Sequence, residues 1–506
     1  MTTGRTPLFR HVMKLLLQSM PADAGRRRFL KQGALAGAGA MLSACASTPS
    51  GPKRTIAIVG GGIAGLTAAW RLMNDGHEVH LYEAGQRTGG RMFTKRNFNA
   101  DGQFVELGAE LIDTDHKRIL ALAEELGVPV QNLRRGEKGL DFIWLEDRLR
   151  TDHDVPAAFR PLGEKIAADL DGIYDADGNF TDKARALDQI SLAAYLRDRG
   201  RGIEPWVIQL LIAAYEPELG ATAEKQSCLN LIDFINPDVS HGFEIFGKSD
   251  EAWRIQGGND TLPTVLAERM RGKISLNLGH RLAGIADKGG RMTLQFDTKG
   301  GMKAKNYERV ILALPFTVLR QVPGIFDLPL TAAKKRCIRE MGYGSNVKVF
   351  RSFERRLWRE PVPGRDFISN GSVFALEPTF ENVWETSRGQ AGERGIITNL
   401  LGGRRGENYS KGAMSGYLDE LDAVFPGLKK LYDGSSAAMN WPKQPFTQGS
   451  YSCPFTGQYT WIYEESPKPA LDGRLIFAGE HTSTVSPGFM NGGVESGERA
   501  AKEAAA

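Results

Sequence analysis

Thr55-Ile56-Ala57-Ile58-Val59-Gly60-Gly61-Gly62-Ile63-Ala64-Gly65 decides the fold. The first five residues form a run rich in β-branched side chains, the pattern of a parallel strand buried on both faces. Gly60, Gly62 and Gly65 then fit G-x-G-x-x-G, and a helical pattern runs from Leu66 to Met73 before breaking at Gly76. A second strand, Glu78 to Tyr82, ends on the acid Glu83. Each part has a physical use. Gly60 permits a tight turn, Gly62 lets backbone approach a pyrophosphate, and Gly65 lets helix and strand pack closely. Free N–H groups at the helix start face the anion. Glu83, about 20 residues on, can accept hydrogen bonds from a ribose. The bland alternative is a glycine-rich turn that binds nothing; the strand, helix and acid together favour a dinucleotide.

Ala84-Gly85-Gln86-Arg87-Thr88-Gly89-Gly90-Arg91 follows. This resembles the second signature of the flavin amine oxidase family, a glycine pair and an arginine after the ribose-binding acid. The C-terminus carries a second match. Gly473 to Thr482 reads as a strand ending in Gly479-Glu480, and Gly488-Phe489-Met490-Asn491-Gly492-Gly493 opens a helix. It is similar to the last segment of monoamine, polyamine and L-amino-acid oxidases. Phe104 to Glu110 reads as a short strand ending in a tight glycine, and its Glu-Leu-Gly-Ala resembles the family segment that passes the flavin ring.

The resemblance implies an α/β fold: a Rossmann-like FAD-binding domain split along the chain, plus an α+β substrate-binding domain with a helical cap. The FAD-binding domain is expected from 53–115, 247–315 and 470–506. The substrate-binding domain is expected from 116–246 and 316–469. It implies FAD held by Gly60, Gly62, Ile63, Ala64, Gly65, Glu83 and Ala84. Arg87, Gly90 and Arg91 are expected near the phosphates and flavin, and Gly108, Ala109 and Glu110 along the ring. Gly479, Glu480, Gly488 and Met490 complete the set, with Glu480 at the ribityl or pyrophosphate group. The last helix can stabilise negative charge at the flavin.

The chain has 506 residues, too many for one compact core. Apolar content of 41% and charged content of 25% are ordinary for a globular protein. A net charge of +4 with scattered basic residues offers no nucleic-acid surface. Residues 1–45 read as an export segment. Arg26-Arg27-Arg28-Phe29-Leu30-Lys31 resembles the twin-arginine motif, which implies a periplasmic protein exported already folded. The small apolar run Gly33–Ala44 is too short to span a bilayer. Leu42-Ser43-Ala44-Cys45 also fits a lipobox, in which Cys45 would carry a lipid anchor; the alternative is a chance cysteine. Residues 46–53 read as a linker. Cys228, Cys337 and Cys453 are far apart, odd in number and without metal spacing, so they read as core. Nothing in the sequence sets the oligomeric state, and a homodimer is open to it.

The middle of the chain is mostly helical from about 150 to 245, with periodic stretches at Leu162–Ile173, Leu187–Arg199 and Trp206–Tyr215. This reads as the cap. Tyr215-Glu216 and Ser240–Asp250 are surface loop or entrance. Ala252 to Leu262 resembles the family's return to the FAD domain. Strands are expected at Ile274–Leu278, Arg291–Phe296, Arg309–Leu314, Val347–Phe350 and Ile396–Leu400. Trp358, Phe374, Trp384 and Trp441 read as core.

The family chemistry is oxidation of a C–N bond to an imine, with O2 or another acceptor taking the electrons. The substrate is therefore a small amine or amino acid. Lys348 breaks an apolar row in Gly344-Ser345-Asn346-Val347-Lys348-Val349. An isolated charge in an apolar strand needs a partner. By resemblance it holds a water at flavin N5; the alternative is the exposed face of an edge strand. Tyr451 and Phe489 match the two aromatics that face an incoming amine, whose partly positive nitrogen ring faces attract. Ser450 stands where covalent members carry a cysteine, which implies non-covalent FAD. An L-amino-acid oxidase giving a 2-oxo acid, ammonia and H2O2 is the second reading. That branch clamps the carboxylate with an arginine just after Leu-Gly-Ala, where this chain has Glu110. A C–C desaturase or a non-catalytic FAD protein comes third.

Overall fold

Strand Thr55–Val59 shows why the chain folds as it does. Ile56 and Ile58 enter one buried cluster, while Ala57 and Val59 enter another on the opposite face of the sheet. A strand covered on both sides must be apolar at every position, and this one is. In the computed structural model, which describes residues 53–361 and 367–506, it is the centre of a five-stranded parallel sheet. The export motif, the lipobox cysteine and most of the linker lie outside the described residues.

The parallel sheet has the order 475–477, 309–312, 55–59, 78–83, 275–278. Its strands come from three distant stretches of chain. The register is in phase throughout; Ile58 lies beside Leu81 on one side and Ile311 on the other. Helix Ile63–Asn74 packs against the C-terminal helix Met490–Ala505 on one face. The three-stranded antiparallel sheet 281–307 contributes to the cluster on the other.

A seven-stranded sheet is ordered 432–440, 347–353, 395–401, 382–385, 369–375, 140–145, 148–151, and two short pairs, 94–95 with 105–106 and 130–132 with 253–255, stand apart from it. Val347–Phe353 lies inside it, with Lys348 between Leu400 and Met439. The edge-strand alternative for Lys348 is therefore excluded.

The helical region carries two corrections. The stretch read as one helix over Leu187–Arg199 is two, Asp182–Asp188 and Leu192–Arg199. Ser191 restarts the chain by capping the second, its hydroxyl accepting from the Ala194 amide. The helix expected at Leu162–Ile173 runs over Val155–Leu170, with a proline in its first turn. Pro205–Leu219 ends where Gly220 takes a left-handed conformation, φ 66°. Tyr215 is fully buried and donates to the Ile245 carbonyl, so it is core and not entrance. The three described cysteines are free and buried. No helix among the described residues is long and apolar enough to cross a membrane.

Candidate functional site

The glycine turn after Thr55–Val59 is forced by contact. Gly60 has φ 112°, and a Cβ there would meet the Ala313 carbonyl oxygen at 2.4 Å. A Cβ on Gly65 would lie 2.0 Å from the Gly60 carbonyl oxygen, so close packing of helix on strand depends on glycine. Gly62 starts the helix with no side-chain cap, leaving its first amides for an anion. Glu83 closes the turn, accepting from the Gly61 amide at 2.8 Å and the Gly85 amide at 2.7 Å. Each carboxylate oxygen keeps a further acceptor site for a ribose hydroxyl.

A cavity of about 890 Å³ begins at this turn and ends among the aromatics of the second sheet. Every residue that sequence reading placed at the site lies on its wall except Gly65, whose role is packing. The C-terminal helix also points an uncapped N-terminus at the cavity, through Gly488, Phe489 and Met490. Two uncapped helix starts, a turn that tolerates no Cβ and an acid between amides are what an elongated dianionic dinucleotide requires. The residues present fit FAD.

Three expected cofactor residues are engaged with protein. Arg91 donates to the Glu480 carboxylate at 2.7 Å and the Ser450 carbonyl at 2.6 Å. Glu480 also accepts from the Ser452 hydroxyl and the Gly488 amide, both at 2.7 Å. It thus fastens the 450–452 turn both to Arg91 and to the start of the C-terminal helix. Burial works to raise its carboxyl pKa, but Arg91 outweighs that and holds it below the ordinary range. Arg87 lies over the Phe93 ring at 3.8 Å and donates to the carbonyls of Thr88, Gly90 and Met92.

Lys348 is 7% exposed, and its ammonium has three protein acceptors. These are the Gly108 carbonyl and Glu110 Oε2, each at 2.9 Å, and the Glu106 carbonyl at 3.3 Å. The Trp384 ring centroid is 5.1 Å from Nζ. Glu110 is the partner that the isolated charge required. Burial would raise the Glu110 carboxyl, but Lys348 and Arg254 prevail and hold it low. Burial pushes Glu106 up to about 7, outweighing hydrogen bonds from the Asn259 amide and Thr94 hydroxyl and the weaker pull of Arg254.

Tyr451 and Phe489 share the wall with Lys348. The Tyr451 hydroxyl donates to the Glu218 carbonyl, and Phe489 packs on His116 with centroids 4.9 Å apart. Trp384, Trp441 and Phe374, read as core, also line the cavity, as does the loop 243–251. A signal for these is absent from spacing alone, because aromatic residues fill cores and chambers alike.

Ser450 donates to Asn346 at 2.5 Å, and Cys453 is buried in the cap-side core with its amide on the Gly342 carbonyl. FAD therefore has no thiol at the 450 position. Acid precipitation of the holoenzyme should leave the yellow colour in the supernatant; colour kept by the washed polypeptide would contradict this.

Comparison with known proteins agrees with the geometry. The family model described as flavin containing amine oxidoreductase matches residues 63–505. The flavin-dependent L-tryptophan oxidase of Lentzea aerocolonigenes is 26% identical, over 88% of this chain and 96% of its own. The nicotine dehydrogenase of Pseudomonas putida is 25% identical, over 94% and 96%. Among solved structures, the cyclohexylamine oxidase of Brevibacterium oxydans superposes with a TM-score of 0.73 at 20% identity, covering 90% of this chain and 99% of that one. A putrescine oxidase double mutant gives 0.73 at 20%, covering 89% and 99%.

Proposed function

Since the chain belongs to the flavin-containing amine oxidoreductase family, we propose that it oxidises a primary or secondary amine lacking an α-carboxylate. Membership itself makes the protein an FAD-dependent oxidoreductase acting on CH–NH or CH–NH2 groups. In the proposed reaction the amine loses two electrons and two protons to give an imine, and O2 becomes H2O2. Water then hydrolyses the imine to a carbonyl compound and ammonia or an amine. Bound FAD supplies the two-electron acceptor.

The chain's own residues exclude water, orient the amine and balance charge. The aromatic rings of Tyr451, Phe489 and Trp384 give the chamber faces suited to an amine nitrogen. The observation that carries the reading is the charge closure at Lys348. A carboxylate beside the reacting carbon needs a cation there, and this one is answered by Glu110 at 2.9 Å. The Glu110 carboxylate would repel a second anion.

An amino-acid oxidase is the second reading, favoured by Arg134 and Arg388 on the outer wall. Both are already answered, Arg134 by Glu251 at 3.7 Å and Arg388 by Glu137 at 3.3 Å. The longer pair could be exchanged for a substrate carboxylate. An aerobic panel of benzylamine, cyclohexylamine, putrescine and N-methylbenzylamine against L-tryptophan and L-glutamate, scored for H2O2, separates the two. Amines are expected to be oxidised at least ~10-fold faster than either amino acid, an advantage of about 1.4 kcal/mol in transition-state binding. The reverse order would transfer the proposal to the amino-acid reading.

A further inference from the structure

The segment from Gly108 to His116 begins on the cavity wall, at 108–111, and ends behind it against a wall residue, Phe489. Glu110 pairs with Lys348 at the inner end. His116 packs its ring on Phe489. Between them stands Asp113, 6% exposed, which the reaction above does not use.

Asp113 spends its polar atoms in two directions. Its carboxylate accepts from the Ser249 hydroxyl at 2.9 Å on both oxygens, and from the Glu251 amide at 2.8 Å. Its own amide donates to His116 Nδ1 at 3.0 Å, and His116 Nε2 lies 3.4 Å from Oδ2. Ser249 and Glu251 close the loop 243–251, which lines the cavity while Glu244, Lys248 and Asp250 stand exposed. That loop is therefore the chamber's rim. Glu251 takes φ 45°, an unfavourable conformation for a side-chain-bearing residue, and the hydrogen bond its amide donates to Asp113 helps hold it there.

We propose that Asp113 is a positioning residue that ties the rim loop 243–251 to the Phe489 ring through His116. It sets the seat of the incoming amine without touching it. The part played by Phe489 rests on the amine-oxidase reading, whereas the tie to the loop does not. A buried carboxylate with these donors is costly to remove, because the loop amide and hydroxyl lose their acceptor together.

The test uses the full-length FAD-loaded protein and three variants. Asp113→Ala should speed chymotrypsin cleavage after Phe243 and Phe246 by ~5-fold or more, as local opening becomes easier. It should also raise KM for the fastest panel amine about 10-fold while kcat changes less than about 3-fold, the mark of lost positioning and not of lost chemistry. Asp113→Asn keeps an acceptor for Ser249 and Glu251, and should return cleavage close to wild type. His116→Leu should raise KM and leave cleavage unchanged. Wild-type cleavage with wild-type KM in Asp113→Ala overturns the proposal, as does an equal fall in kcat and kcat/KM. If Asp113→Ala does not fold, Ser249→Ala removes one tie alone; unchanged cleavage in that variant overturns the proposal. Should no panel amine be oxidised, the amine reading fails, and cleavage still decides the tie.

Discussion

Replacing Lys348 by methionine should slow turnover on the order of 10–1000-fold, the usual cost of losing one oriented hydrogen-bonding group at a reacting centre. Methionine keeps the stem length inside the sheet and removes the charge and donors. Stopped-flow measurement of the reductive and oxidative half-reactions tells which step slows; the oxidative one is expected to slow more. The family resemblance suggests a water between this lysine and the flavin. In the structure its ammonium has three protein acceptors, two carbonyls and Glu110. The variant therefore strands Glu110 as well. Removing one partner of a buried ion pair costs ~3–5 kcal/mol. Glu110 is held below its ordinary pKa in the folded protein, so the pair stabilises at neutral pH and that contribution is lost as pH falls through the lowered value. Lys348→Met should thus lower the melting temperature more at pH 7 than in acid. Lys348→Met with Glu110→Gln should restore much of the stability and none of the rate. Wild-type rates in both half-reactions would make Lys348 a structural charge only.

Gly65→Ala should have the second large effect, on cofactor loading. The new Cβ would sit 2.0 Å from the Gly60 carbonyl oxygen and 3.3 Å from the Ala313 Cβ. Backbone against a Cβ has no rotamer to escape into, so helix Ile63–Asn74 must back away from the strand. Overpacking of this kind costs typically ~1–3 kcal/mol. The displaced helix start no longer presents its amides to the pyrophosphate, so FAD affinity should fall ~100-fold or more, about 2.7 kcal/mol. Flavin fluorescence titration of the apoprotein reads the affinity, and circular dichroism reads the fold. A variant with normal FAD affinity would show that the glycine packing does not position the phosphate site.

These two residues also mark what the sequence makes legible. Gly60, Gly62 and Gly65 declare a backbone constraint, because only glycine satisfies it, and a short spacing carries the whole motif. Lys348 declares only half of its environment. The break in an apolar row demands a partner, but Glu110 is supplied from 238 positions away. Arg254 and Glu106, which set the charge around that pair, lie in stretches legible for their family pattern, yet nothing local marks their electrostatic part. Trp384 and Trp441 read as core because burial selects the same residues for a chamber wall. The rim loop 243–251 lacks any periodicity, and its geometry comes from Asp113, far away in sequence. The helix break at Ser191 was written in the chain as a capping residue, yet apolar spacing on both sides hides it.

In the proposed reaction an amine without an α-carboxylate delivers its electrons to FAD in this cavity. The direct measurement is anaerobic addition of the panel amines to the holoenzyme, followed at the flavin's visible absorption band. Bleaching by an amine with an aldehyde or ketone formed in equal amount is the predicted result, with L-tryptophan and L-glutamate leaving the band unchanged over the same time. Bleaching by the amino acids alone, or by none of the compounds, would contradict the account.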